Sequence, residues 1–143
     1  LYDFLWSDFC DWYIELSKNA LYGEDKAKKA ATLSVLCFVL ENALKLLHPF
    51  VPFITDEIYR NIPGAQGSVM VSEFPRYNSK LAYKKEAKAF EPVMDVIRTV
   101  RNMKASVNCP PAKKVRLYIA ASNRRMLSAN AGAIAKLAGA SGI

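Results

Sequence analysis

Prolines decide where this chain can be helical. Pro49 and Pro52, then Pro63, then the adjacent Pro110 and Pro111 interrupt a sequence whose apolar residues otherwise recur at helical spacing. A proline lacks the amide proton of the helical ladder and its ring clashes with the preceding turn, so no continuous helix crosses these points. The chain must fold as separate helices of limited length that bury their apolar stripes against neighbours.

Between the breaks the segments read clearly. Tyr2, Leu5, Phe9, Trp12 and Leu16 step by threes and fours while Asp3, Asp8, Asp11 and Glu15 fall mostly elsewhere, the pattern of an amphipathic helix. Trp6 and Tyr13 widen its apolar face, and Gly23 stops it. Residues 25–47 give a second helix with Leu33, Leu36, Cys37, Leu40, Leu44 and Leu47 on one stripe. Pro52 suits the first turn of a short third helix over 53–61, closed by Pro63 and Gly64. Residues 64–80 read as loop, with a short extended piece at 68–71. A fourth helix spans about 83–107, with Phe90, Val93, Val96, Ile97, Val100, Met103 and Val107 on one arc, and the proline pair ends it.

After the prolines, Val115, Leu117 and Ile119 alternate with Arg116 and Tyr118, which is strand periodicity. Ser122 offers an N-cap to a weaker helix carrying Met126, Leu127, Ile134 and Leu137. A strand followed by a helix calls for a second strand beside the first, and none is left after Ile143. The expected fold is mainly α, a helical bundle over 1–111 with a small strand-helix appendage over 112–143.

A chain of 143 residues, 52% of them hydrophobic, can bury a genuine core. Apolar runs such as 33–40 are far shorter than the ~20 residues of a membrane span, so a soluble protein is expected. The chain opens inside an amphipathic pattern without an initiator Met, as a piece of something longer would. Cys10, Cys37 and Cys109 are widely spaced and His48 is the single histidine, which fits neither a disulfide framework nor a zinc site and suits a reducing cytoplasm. Glycine-rich phosphate loops and nucleophile elbows are missing. His48, between Leu47 and Pro49, reads as structural, and the adjacent Asp56 and Glu57 read as first-turn carboxylates favouring the helix dipole. No residue is expected to be catalytic and none to hold a metal.

Charge is the informative feature. Residues 1–75 carry six Lys/Arg against ten Asp/Glu, whereas residues 76–125 carry thirteen against three, within a net charge of +7. Such a concentration suits a polyanion: RNA, DNA or an anionic membrane. With Ile97 at the centre of the fourth helix's apolar arc, Arg101 lies about 40° to one side and Lys104 about 20° to the other. Either their stems snorkel along apolar surface, or the last turns emerge towards a partner. Arg98, Arg101 and Asn102 have the chemistry to read splayed RNA bases, and Lys104, Lys113, Lys114 and Arg116 that to hold phosphates. The competing reading is a protein-interaction or intramolecular docking module whose cations are simply solvated or pair with another domain.

The order LYDFLWSDFCDWYIELSK, LHPFVPFITDEIYRNIP, SVMVSEFP and IRTVRNMKASVNCPPAKKVRLYI resembles the region after the catalytic core of class I aminoacyl-tRNA synthetases, most closely the valyl members. The likeness covers about residues 1–121. Tyr59 stands where relatives often have Trp, Phe74 precedes Pro75 where Trp-Pro is usual, and Met103-Lys104-Ala105-Ser106 departs from the more usual Ile-Arg-Ala-Glu. The resemblance implies an anticodon-binding bundle whose partners are a valine-accepting tRNA, not DNA, and the catalytic domain of the same polypeptide. The HIGH and KMSKS signatures of adenylation are missing here, so no cofactor is expected in this chain. ATP and Mg would belong to the catalytic domain.

Overall fold

The computed structural model describes residues 1–110, 112–121 and 124–143, and these form two compact units, Leu1–Tyr77 and Asn78–Ile143. The domain boundary expected between residues 111 and 112 lies inside the second unit. Pro111 and the expected cap at Ser122 lie outside the described residues.

In the first unit the opening segment is helical as expected, but residues Phe4–Ile14 wind as a π-helix before tightening into α1, Glu15–Leu21. Phe9 and Trp12 are its buried aromatics, while Trp6 remains exposed and stacks on Tyr2. Asp25 caps α2, Lys26–Leu47, by accepting from the Lys28 amide at 3.0 Å. By length and composition α2 could cross a membrane, since its most apolar 18-residue stretch has a mean hydropathy of 1.6. Of that stretch 11% is buried, at Ala43 and Leu44, and Lys45 bridges Glu41 on the same helix.

Pro52 opens α3, Pro52–Arg60, at the position its missing amide tolerates. The turn before it is held by His48, whose Nδ1 lies 2.8 Å from the hydroxyl of the buried Thr55. The same hydroxyl lies 2.8 and 3.0 Å from the Val51 and Pro52 carbonyls, so one buried oxygen ties the His48 ring to the first turn of α3. Leu44, Tyr59, Ile62 and Val69 form the core of this unit, with Cys37, Leu40 and Ala65 packed around them.

Asp56 does something other than favour a helix dipole. Its carboxylate accepts from Ser68 Oγ at 2.6 Å and from the Val69 amide at 2.9 Å, while Arg60 Nε donates to it at 2.9 Å. This staple winds the piece expected to be extended at 68–71 into a 3₁₀ turn, Val69–Val71. Ser68 Oγ, accepting from the Met70 amide, caps that turn.

The second unit is organised on α4, Lys84–Ser106, with Val93 and Ile97 fully buried against α5, Arg124–Ala129, and α6, Ala131–Ala138. Pro92 sits inside α4, where it removes the amide that would donate to the Lys88 carbonyl. The helix ends before the proline pair. Asn108 turns left-handed at φ 50°, its amide donates to Ala105 at 3.0 Å, and the Cys109 amide reaches back to Lys104 at 2.8 Å. Those two reversed bonds are a Schellman cap with asparagine in the glycine position.

The strand expected over 115–121 is shorter, β1 at Val115–Arg116, and it has the partner the sequence seemed to lack. Ala140–Gly142 forms β2, parallel to β1. Gly139, at φ 66°, lets the chain leave α6 directly into β2.

Candidate nucleic-acid interface

The basic end of α4 and the segment after it belong to the second unit. Val93 and Ile97 are sealed in its core, yet Met103 is 63% exposed and Val107 72%. The last turns of α4 therefore emerge from the packed region, and their cations come with them.

Each cation has a defined neighbourhood. Arg98 Nη1 donates to Asp95 Oδ1 at 2.8 Å, in a bridge exposed on both sides. Arg101 Nε donates to the Leu137 carbonyl at 2.9 Å. Lys104 Nζ donates to the Lys113 carbonyl at 2.8 Å and reaches the Gly139 carbonyl at 3.5 Å. Leu137 and Gly139 lie at the C-terminal end of α6, where carbonyls lack helical partners and the dipole is negative. Two cations placed where an ordinary bundle helix would carry leucine are thus directed at the negative end of a neighbouring helix. Their counterpart lies partly within the same unit, not wholly in another molecule.

Arg101 and Lys104 line one recess of about 400 Å³ together with Lys136 and Cys109. Lys136 was missed in the sequence because it stands alone in an otherwise uncharged helix, without the clustering that marks the rest. Asn102, Lys113, Lys114 and Arg116 are exposed. Arg116 borders a second recess of about 290 Å³ with Tyr118 and Gly142. The structure thus joins Arg101 to Lys104, and Lys104 to the backbone of Lys113, but engages Arg98 with its own helix. Beyond Asp95 the sequence holds nine Lys/Arg and no Asp or Glu, so nothing after that residue offers a carboxylate side chain to this surface. Among the described residues no group of three or more His, Cys, Asp or Glu is placed to hold a metal.

Residues 1–119 match the family described as the anticodon-binding domain of tRNA ligase. The chain belongs to that family. The relatives it matches are valine–tRNA ligases. That of Geobacillus stearothermophilus is 46% identical over 129 residues, which is 90% of this chain and 15% of the relative. Those of Bacillus anthracis and Listeria innocua are 44% and 46% identical over 90% and 83% of this chain, and 14% of each relative is covered. The chain therefore spans about a seventh of the length of these ligases.

Proposed function

We propose that this chain recognises the anticodon stem and loop of a valine-accepting tRNA as a non-catalytic part of a cytoplasmic valine–tRNA ligase. Adenylation with ATP and Mg would take place in another domain of that enzyme. The family match over residues 1–119 carries this reading, and the acid-free basic segment beyond Asp95 supports it with chemistry suited to a phosphate backbone. Arg98 and Asn102 face the RNA, and Lys113, Lys114 and Arg116 hold phosphates. Arg101 and Lys104 add their charge while fixing the end of α6 against α4.

Titration of an unmodified valine tRNA transcript at several salt concentrations tests this. Each phosphate neutralised contributes a log-log slope of roughly −0.7 to −0.9, so three to five contacts give a total of about −2 to −4.5. A slope near zero, or equal affinity for a tRNA with an unrelated anticodon, overturns the reading.

A second activity, docking on the rest of the ligase, is favoured by the first unit. Phe53, Ile54 and Met70, 91%, 56% and 75% exposed, line one recess. An apolar surface of this kind marks a contact site, and the relatives supply some six-sevenths of a polypeptide to cover it. Phe53→Ser should leave the isolated domain's melting temperature unchanged and lower that of the full-length ligase. Equal behaviour in both contexts removes this docking role.

A further inference from the structure

The segment following Lys113 carries an arrangement that phosphate contacts alone leave unused. Lys114, Arg116 and Tyr118 are exposed, while Val115, Leu117 and Ile119 between them are half-buried. The alternation continues past the two residues of β1 because the backbone stays pinned to β2. The Val115 amide donates to Gly139 at 3.2 Å and the Leu117 amide to Gly142 at 3.0 Å. An extended backbone alternates its side chains between two faces, so Lys114, Arg116 and Tyr118 share one face, and their exposure marks it as the solvent-facing one. Lys104 fixes the start of the segment through its bond to the Lys113 carbonyl.

Tyr118 is 87% exposed. It lines the recess of about 290 Å³ shared with Arg116, Leu117, Gly142 and Ile143. A lone exposed aromatic requires no explanation. This one is placed two residues from an arginine and four from a lysine on the same side, at steps of about 6.6 Å, close to the step between successive phosphates of an extended nucleic-acid strand. The cations select an anion and the ring selects a π-face. An acidic peptide supplies the first without the second. A lipid surface would call for more apolar area than a face whose next exposed member is Ala120.

We propose that Lys114, Arg116 and Tyr118 form a strand-borne platform for unpaired RNA, with Tyr118 stacking on a nucleobase and the two cations on the flanking phosphates. The platform rests on the RNA-binding reading above and adds to it a stacking residue and a second contact mode. Stacking tolerates any base, so it contributes affinity where the chain leaves a duplex, while discrimination between tRNAs is left to other contacts.

The test is titration of the unmodified valine tRNA transcript against wild type, Tyr118→Ala, Tyr118→Phe and Lys114→Ala/Arg116→Ala, with circular dichroism melts showing that each variant folds. Tyr118→Ala should weaken binding at least five-fold and Tyr118→Phe less than two-fold. The double variant should reduce the salt slope by about 1.4 to 1.8. Wild-type binding that Tyr118→Ala leaves unchanged, or that Tyr118→Phe weakens as much as alanine, overturns the platform and leaves the proposed function standing. A wild-type domain that fails to bind the transcript even at low salt removes both.

Discussion

Arg101 donates from Nε to the carbonyl of Leu137, 36 residues further along the chain, at 2.9 Å. A cation near the sequence's most basic stretch thus supports the fold as well as adding charge. A charge-assisted bond to a helix-terminal carbonyl on an exposed surface contributes about 1 kcal/mol. Arg101→Ala should therefore lower the second unit's stability by about that much, and Arg101→Lys by less. Chemical denaturation of the two variants checks this. If the alanine variant loses RNA affinity without losing stability, the carbonyl contact is not what the residue is for.

Ile97 and Ile134 are both fully buried, on helices packed against each other. Truncating either to alanine removes buried methylenes and leaves a cavity, at a cost of about 2–5 kcal/mol, whereas Ile97→Val should cost about 0.5–1.5 kcal/mol. Urea unfolding followed by circular dichroism gives both values. An alanine variant as stable as the valine variant would mean that α4 does not seal this core.

The helices were legible because proline and apolar spacing act locally. Pro52 sets the start of α3 and the arc around Ile97 sets the buried face of α4 whatever lies elsewhere in the chain. What escaped depends on distant partners. Ala140–Gly142 has no strand propensity of its own and becomes β2 only because Val115 and Leu117 donate to Gly139 and Gly142. Residues 68–71 look extended until Asp56, twelve residues upstream of Ser68, winds them into a turn. Asn108 was readable as a left-handed cap but was masked by the louder signal of the prolines after it. For the site, the sequence exposed the charge but not its address. It offered no means of knowing that Arg101 and Lys104 meet the end of α6, or that Lys136 lines the same recess.

Asp56 makes the first unit sensitive to acid. The Ser68 hydroxyl, helped by the Val69 amide and Arg60, holds its carboxyl below the usual carboxylate range against a smaller opposing effect of desolvation. A carboxyl with a folded-state pKa below its unfolded value, about 3.9, stabilises fully above that value and loses the contribution as pH falls through the lower one. Asp56→Asn should therefore melt below wild type at pH 7, and the gap should narrow below about pH 4. Melting curves from pH 7 to pH 3 read this directly. A gap that stays constant over the range would show that the carboxylate's charge is not involved.

Asp95 is the last acidic residue of the sequence, and it holds Arg98 at 2.8 Å in a bridge exposed on both sides. Exposed pairs of this kind contribute only about 0.2–1 kcal/mol, so Asp95→Asn should leave the melting temperature nearly unchanged. In the proposed complex the same carboxylate would be a liability, because it would repel the RNA's phosphates and compete for the guanidinium proposed to face the RNA. Asp95→Asn should therefore tighten binding of the valine tRNA transcript by about two- to five-fold, a change of similar size to the bridge it removes. The gain should vanish in an Arg98→Ala background if it acts through that guanidinium. Equal gains in both backgrounds would assign the effect to general charge and take Arg98 out of the interface.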